Sequence, residues 1–274
     1  MRLPRPAAVL AATLVLLAPP AAVLADAPPA AAAARARYFT GRAFDSCSAP
    51  SLDAMRRWYR HSPYRAAGIY IGGVNRACAQ PRLTAGWVRA VDRMGWRLLP
   101  VYVGLQPPCR TSPHHRLARI DPRRARSQGR AQAADAVRRA RALGLRAGSP
   151  LYLDVESYRR NDARCTRAVV DYAVGWTTGL RAARYRSGFY GSAASGIADL
   201  AAARRAGRGP LPGTVWFAHW NGHRGTGRTW CLPHHAWRHH RIHQYSGNVR
   251  ESHGGAALTI DRNSVDAAVA VVRR

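Results

Sequence analysis

From residue 39 onward the chain alternates short apolar runs with amphipathic helical stretches, and this alternation limits the available folds more than any other feature. The strand-like runs are residues 42–45, 69–72, 98–106, 151–156, 188–192, 215–220, 242–246 and 258–261. Between the first two, residues 51–61 place Leu52, Met55 and Tyr59 at helical spacing behind Ser51, a good N-cap. Thr84 opens a second helix, residues 127–143 form an Ala/Arg helix stopped by Gly144, and further helices are expected over about 163–184, 195–205 and from Val265 onward. Eight strands mostly alternating with helices predict an α/β fold, a single (β/α)8 TIM-type barrel. The weak stretch is 221–240, rich in Gly, His, Arg and Trp, where no helix is evident between strands six and seven. A doubly wound open sheet is the alternative, but neither a GxGxxG nor a Walker loop supports it.

Acids are scarce, 14 against 43 arginines and no lysine, so their positions carry information. Barrel proteins build sites at the C-terminal ends of their strands. Asp45, Asp154, Glu156 and Asp261 fall at such ends, and strands one and eight are neighbours in a closed barrel, so Asp45 and Asp261 should converge. The run Leu151-Tyr152-Leu153-Asp154-Val155-Glu156 alternates strictly. Tyr152, Asp154 and Glu156 then face the barrel axis, with the Cα atoms of the two acids about 6.6 Å apart at two strand rises. Like charges that close raise the proton affinity of at least one carboxyl, which general-acid chemistry near neutral pH requires. The same parity puts Tyr102, Gly104 and Gln106 on one face of strand three. Tyr190, Trp216, Trp220 and Tyr245 lie near the same strand ends, where aromatic faces and carboxyls together suit a saccharide groove. Each feature has a plainer structural use: barrel packing for the aromatics, a cap on the final helix for Asp261, and orientation of Glu156 or a loop for Asp154.

Other chemistries find little support. His234, His235, His239, His240 and His243 match no zincin spacing and read as a basic loop, and no CxxC pair offers a zinc site. Gly191-Ser192-Ala193 lacks the GxSxG elbow. No metal or cofactor is expected. The net charge of +29 invites a nucleic-acid reading, but the arginines are spread as pairs such as Arg56-Arg57, Arg138-Arg139 and Arg204-Arg205, without a recognition motif. Nucleic acid is therefore not an expected partner. Base composition of a GC-rich genome accounts for the arginine bias, with attraction to anionic polymers outside the cell as a secondary use. Arg2 and Arg5 followed by the apolar run 7–18 and by Val23-Leu24-Ala25 read as a signal peptide, residues 1–25, cleaved after Ala25 and leaving no membrane span. Arg2 and Arg5 are not adjacent, so a twin-arginine signal is not evident. Residues 26–38 read as an Ala/Pro-rich linker to a barrel domain over 39–274. For an exported chain, Cys47, Cys78, Cys109, Cys165 and Cys231 imply two disulfides and one odd thiol, with the pairing left open.

The runs FDSCSAPS (44–51), GIYIGG (68–73), LLPVYVGLQPPC (98–109), LYLDVE (151–156), GFYGS (188–192), VWFAHWNG (215–222) and HQYSGN…LTIDRN (243–263) resemble the secreted glycoside-hydrolase-like domain of high-GC Gram-positive bacteria. The resemblance implies a TIM barrel similar to the family-25 muramidases, which cleave peptidoglycan. It implies an acid on strand one, a DxE pair on strand four and an Asp near the last strand in the site, here Asp45, Asp154, Glu156 and Asp261. Gln244-Tyr245 matches the muramidase pattern on strand seven. The implied function is a secreted glycoside hydrolase acting on a cell-wall polysaccharide, with Glu156 as general acid, Asp154 stabilising the developing positive charge, and Asp45 and Asp261 positioning substrate or water. The alternative is a barrel without turnover that binds wall glycan or anionic polymer.

Overall fold

A computed structural model of the chain describes residue 1 and residues 37–110, 117–227 and 229–273. Residues 2–36, which hold all but the first residue of the expected signal peptide and most of the expected linker, lie outside the described residues. Eight strands close into a barrel in sequence order. They are β1 (Arg37–Asp45), β2 (Tyr64–Gly72), β3 (Arg97–Val103), β4 (Pro150–Asp154), β5 (Arg186–Ser192), β6 (Thr214–Ala218), β7 (Arg241–His253) and β8 (Ala256–Val269). Among the described residues five α-helices cover the wall: α1 (Leu52–His61), α2 (Ala85–Met94), α3 (Ala125–Ala142), α4 (Ala163–Ala182) and α5 (Ala198–Arg205). The caps follow local chemistry. The Ser51 and Thr84 side chains accept from the Ala54 and Trp87 amides, and Gly95 ends α2 in the left-handed conformation at φ 105°.

The last third departs from eightfold alternation. β1 to β7 pair in parallel, but β8 is antiparallel to both β7 and β1. The helix expected from Val265 is instead the second half of β8. Its Ala-rich sequence reads as helical by composition, yet Val265, Ala267 and Val269 alternate into the barrel interior while Asp266 points out to Thr40 and His239. Period two won over propensity because the interior needed those apolar side chains.

No helix stands between β6 and β7 among the described residues. That connection is organised by Arg241, whose buried guanidinium donates to the carbonyls of Gly227 (2.6 Å), Pro233 (2.7 Å) and Ala236 (3.0 Å). A single cation thus satisfies backbone acceptors that a helix would have paired internally.

Two apolar layers result. Leu99, Val101, Tyr152, Trp216, Ile242 and Val265 fill the barrel, while Leu151, Leu153, Val155, Phe189 and Trp176 pack between wall and helices. Large rings meet small residues across the interior: a Cβ on Gly68 would stand 3.2 Å from Trp216 Cη2 and 2.5 Å from Asp45 Cβ. Two disulfides form, Cys47–Cys78 and Cys109–Cys165, and Cys231 is a buried free thiol. The first ties the β1–α1 connection to the β2–α2 connection, and the second ties the β3–α3 connection to the start of α4. Both therefore brace the C-terminal mouth. No described helix is long and apolar enough to cross a membrane.

Candidate active site

A cavity of about 470 Å³ opens at this mouth, and Asp45, Asp154, Glu156 and Asp261 all line it. β1 delivers Asp45 as its last residue, and the antiparallel register places Asp261 directly opposite. Asp261 is not at the end of its strand: β8 descends from the hairpin tip, so a mid-strand residue arrives at mouth level. Asp154 ends β4, and Glu156 follows two residues later with its backbone N–H donated to Gln106 Oε1 (2.9 Å). Gln106 also donates to the Asp154 carbonyl (3.1 Å), clipping the β3 and β4 exits together.

Asp45 is 2% exposed and accepts from Tyr70 Oη (2.8 Å), Asn263 Nδ2 (2.8 Å) and Gln244 Nε2 (3.4 Å). Burial, and then the Asp261 charge, raise its pKa to about 7 despite those three donors. Asp261 accepts from Gln244 Nε2 (3.0 Å) and the Asn248 amide (2.7 Å), and burial raises its pKa too. Asp154 is pushed well above the carboxylate range by burial, then by Glu156 and Asp45, with Arg110 opposing. Its Oδ1 is buried without a donor among the described residues. Glu156 is the open member, its side chain 44% exposed, with Arg110 Nη1 at 3.4 Å. Three carboxyls with raised proton affinity stand beside a fourth that meets solvent, an arrangement suited to holding and passing protons, with Asp45 itself poised near neutral pH.

Of the eight expected binding residues only Gln106 lines the cavity. Gln244 links the acids to the aromatics, its Oε1 accepting from Tyr190 Oη (3.0 Å) and from the indole of exposed Trp220 (2.9 Å). Trp216 lies beneath, donating to Asn263 Oδ1 (2.8 Å) and so reaching Asp45 through Asn263. Tyr152 faces the axis as its parity requires, but deep in the barrel: its hydroxyl donates to the Ala268 carbonyl (2.9 Å) and its ring meets Trp216 edge-on. Tyr102 is a correction. Leu99 and Val101 occupy the interior, so Tyr102 points outward, donating to Asp135 on α3 (2.8 Å) and leaning on Trp176 of α4. Gln106 reaches the cavity because the chain leaves β3 after Val103, which ends the alternation. Tyr245 lies outside the cavity as well, buried on the opposite face of β7 from Gln244, near His243.

Tyr70, Asn75, Arg76, Arg110, Asn248 and Asn263 complete the surroundings and were not among the candidates. Asn263 was within reach of sequence reasoning, since the alternation that turns Asp261 inward does the same two residues on. Arg76 and Arg110 carried no signal among 43 arginines. Among the described residues no group of three or more His, Cys, Asp or Glu side chains could hold a metal ion.

A closed barrel with clustered carboxyls at its mouth is here the architecture of a glycoside-hydrolase-like domain, as the family match shows. Residues 56–265 match the model of the Rv2525c-like, glycoside hydrolase-like domain, and the chain belongs to that family. No curated protein sequence matches the chain. Among solved structures it is similar to the Tat-secreted protein Rv2525c of Mycobacterium tuberculosis in complex with L-tartrate, at 16% identity and TM-score 0.54 over 83% of this chain and 96% of that one. It is also similar to the modular autolysin LytC of Streptococcus pneumoniae (11% identity, TM-score 0.54, 82% and 46% covered). A third is the spore cortex lytic enzyme SleM of Clostridium perfringens (12%, TM-score 0.53, 82% and 67%). At such identities the shared property is the fold.

Proposed function

We propose that the protein is an exported glycoside hydrolase acting on a peptidoglycan-type wall polysaccharide. The observation that carries this reading is the convergence of Asp45, Asp154, Glu156 and Asp261 on one open cavity. The Asp154–Glu156 pair supplies the proton. Glu156, the member open to the cavity, passes it to the glycosidic oxygen as the bond to the anomeric carbon breaks. Asp154, left ionised beneath the ring, faces the developing positive charge, and water then adds to the anomeric carbon and returns its proton to the pair. Asp45 and Asp261, spanned by Gln244, hold substrate or water opposite. Fold likeness to two wall-lytic proteins and to a Tat-secreted one supports both the substrate class and export.

The test is release of new reducing ends from peptidoglycan and from chitin-type oligosaccharides. Glu156→Gln should lower the rate at least a hundredfold, the scale of general acid–base catalysis. Equal release by wild type and variant ends the assignment.

A second reading, a barrel that binds wall glycan without cleaving it, is favoured by the hydrogen bonds that already occupy Asp45 and Asp261. Its signature is saturable glycan binding with no new reducing ends.

A further inference from the structure

Two arginines stand in a cavity otherwise rich in acids, and neither is well satisfied there. Arg110 Nη1 makes two long contacts, to Glu156 Oε2 (3.4 Å) and the Ser157 carbonyl (3.3 Å), while its Nε is buried with no acceptor among the described residues. Arg76 donates to the Tyr70 carbonyl at 3.3 Å and has no carboxylate partner among the described residues. Across the same cavity, Asp154 is 5% exposed and its Oδ1 is buried with no donor among the described residues. A buried donor or acceptor left unfilled carries a desolvation cost that an incoming ligand group recovers. The vacant positions want opposite things: an anion beside the arginines and a hydroxyl or amide N–H beside Asp154. A neutral glycan offers only the second.

We infer that the cavity takes a carboxylate-bearing glycan, whose acid group is received by Arg110 and Arg76 while a sugar hydroxyl or amide donates to Asp154. This rests on reading the cavity as a glycan site. Glu156 meets Arg110 only through Nη1 at 3.4 Å, so the guanidinium keeps donors for a planar carboxylate. The neighbouring Cys109–Cys165 bridge anchors the backbone at Arg110, so capture needs only side-chain rotation. Drawing Arg110 toward the ligand leaves Glu156 free for the glycosidic oxygen, which makes Arg110 a specificity-determining and positioning residue. The carboxylate can be a lactyl ether on an N-acetylhexosamine or the C6 acid of a uronic ring, since both present the same pair of oxygens.

The experiment titrates the tryptophan fluorescence of the full chain with two ligand pairs: a lactyl-bearing N-acetylhexosamine oligosaccharide against its amide, and a uronic-acid oligosaccharide against its methyl ester. Wild type should bind one acid form about tenfold more tightly than its neutral partner, the scale of a charge-assisted contact. The pair that shows the preference names the source. Arg110→Gln should reduce the ratio toward one, Arg110→Lys should keep part of it, and Arg110→Gln with Arg76→Gln should abolish it. Equal affinities within both pairs for wild type, no binding of any ligand, or a preference that survives the double substitution overturns the inference. Reducing ends counted in the same samples report on hydrolysis separately. Preference without cleavage removes the hydrolase reading and keeps this one, and cleavage without preference does the reverse.

Discussion

Asp45 shows most sharply how a single side chain is set by opposing forces. It is buried opposite another acid, and three donors from β2, β7 and β8 hold it without overcoming the cost of burying its charge. Its proton affinity is therefore higher in the folded than in the unfolded chain. The stability it contributes is complete below its ordinary value of 3.8 and is lost as pH rises through about 7. Asp45→Asn removes that dependence. Between pH 4 and pH 8 the unfolding free energy of the variant should gain on wild type, by at most about 1.4 kcal/mol per pH unit. Urea denaturation at the two pH values checks this, and parallel profiles would mean that Asp45 stays ionised. Gly68 belongs to the same small environment, because it is the position on β2 that leaves room for both Asp45 and Trp216.

Among the elements, β8 and the mouth connections matter most to the site. β8 brings Asp261 and Asn263 down into the mouth, which a terminal helix could not have done. If its second half is a strand, substitutions should alternate in cost. Val265→Asp buries a charge in the barrel interior and should cost more than about 3 kcal/mol, whereas Asp266→Ala removes only partly exposed contacts and should cost about 1 kcal/mol or less. Chemical denaturation of the two variants distinguishes this from a helix, in which neighbouring positions have no such period. The Cys109–Cys165 bridge spans 56 residues and restrains the unfolded chain accordingly. Replacing both cysteines by serine should cost roughly 4 kcal/mol by chain entropy and lower Tm in a calorimetric scan. A reduced, unsubstituted protein should lose at least as much, since it gives up both bridges.

Over the whole molecule, charge is distributed in two ways. Many acids outside the cavity are held by arginines: Asp53 by Arg57, Asp92 by Arg37, Asp135 by Arg138 and Arg139, Asp171 by Arg126 and Arg208, Asp199 by Arg160, and Glu251 by Arg262. With 43 arginines against 14 acids, a large positive excess remains after such pairing. Adhesion to anionic wall polymers of the teichoic-acid kind should therefore fall steeply with salt and survive Glu156→Gln, because it draws on the surface and not on the cavity. Co-sedimentation with purified wall material at low and high salt measures it. Salt-independent adhesion, or loss with Glu156→Gln, would assign the binding to the cavity instead.

The barrel, its first five βα units and the four mouth carboxyls were legible in the chain because each depends on a local signal. Strand alternation turned Asp154 inward, Ser51 and Thr84 marked helix starts, and acid scarcity made Asp45 and Asp261 conspicuous. The direction of β8 was not legible. An Ala/Val run satisfies helix propensity and strand period alike, and only the need to close the sheet between β7 and β1 selects the strand. The outward turn of Tyr102 was hidden because alternation shows which residues share a face and leaves open which face meets the axis. Arg110 and Arg76 enter the cavity through loops tied by disulfides, so their place depends on contacts between segments far apart in the chain. Periodicity and capping act over a few residues and can be read in order. Closure, facing and the company a carboxylate keeps arise from long-range packing, and these set the proton affinities on which the site depends.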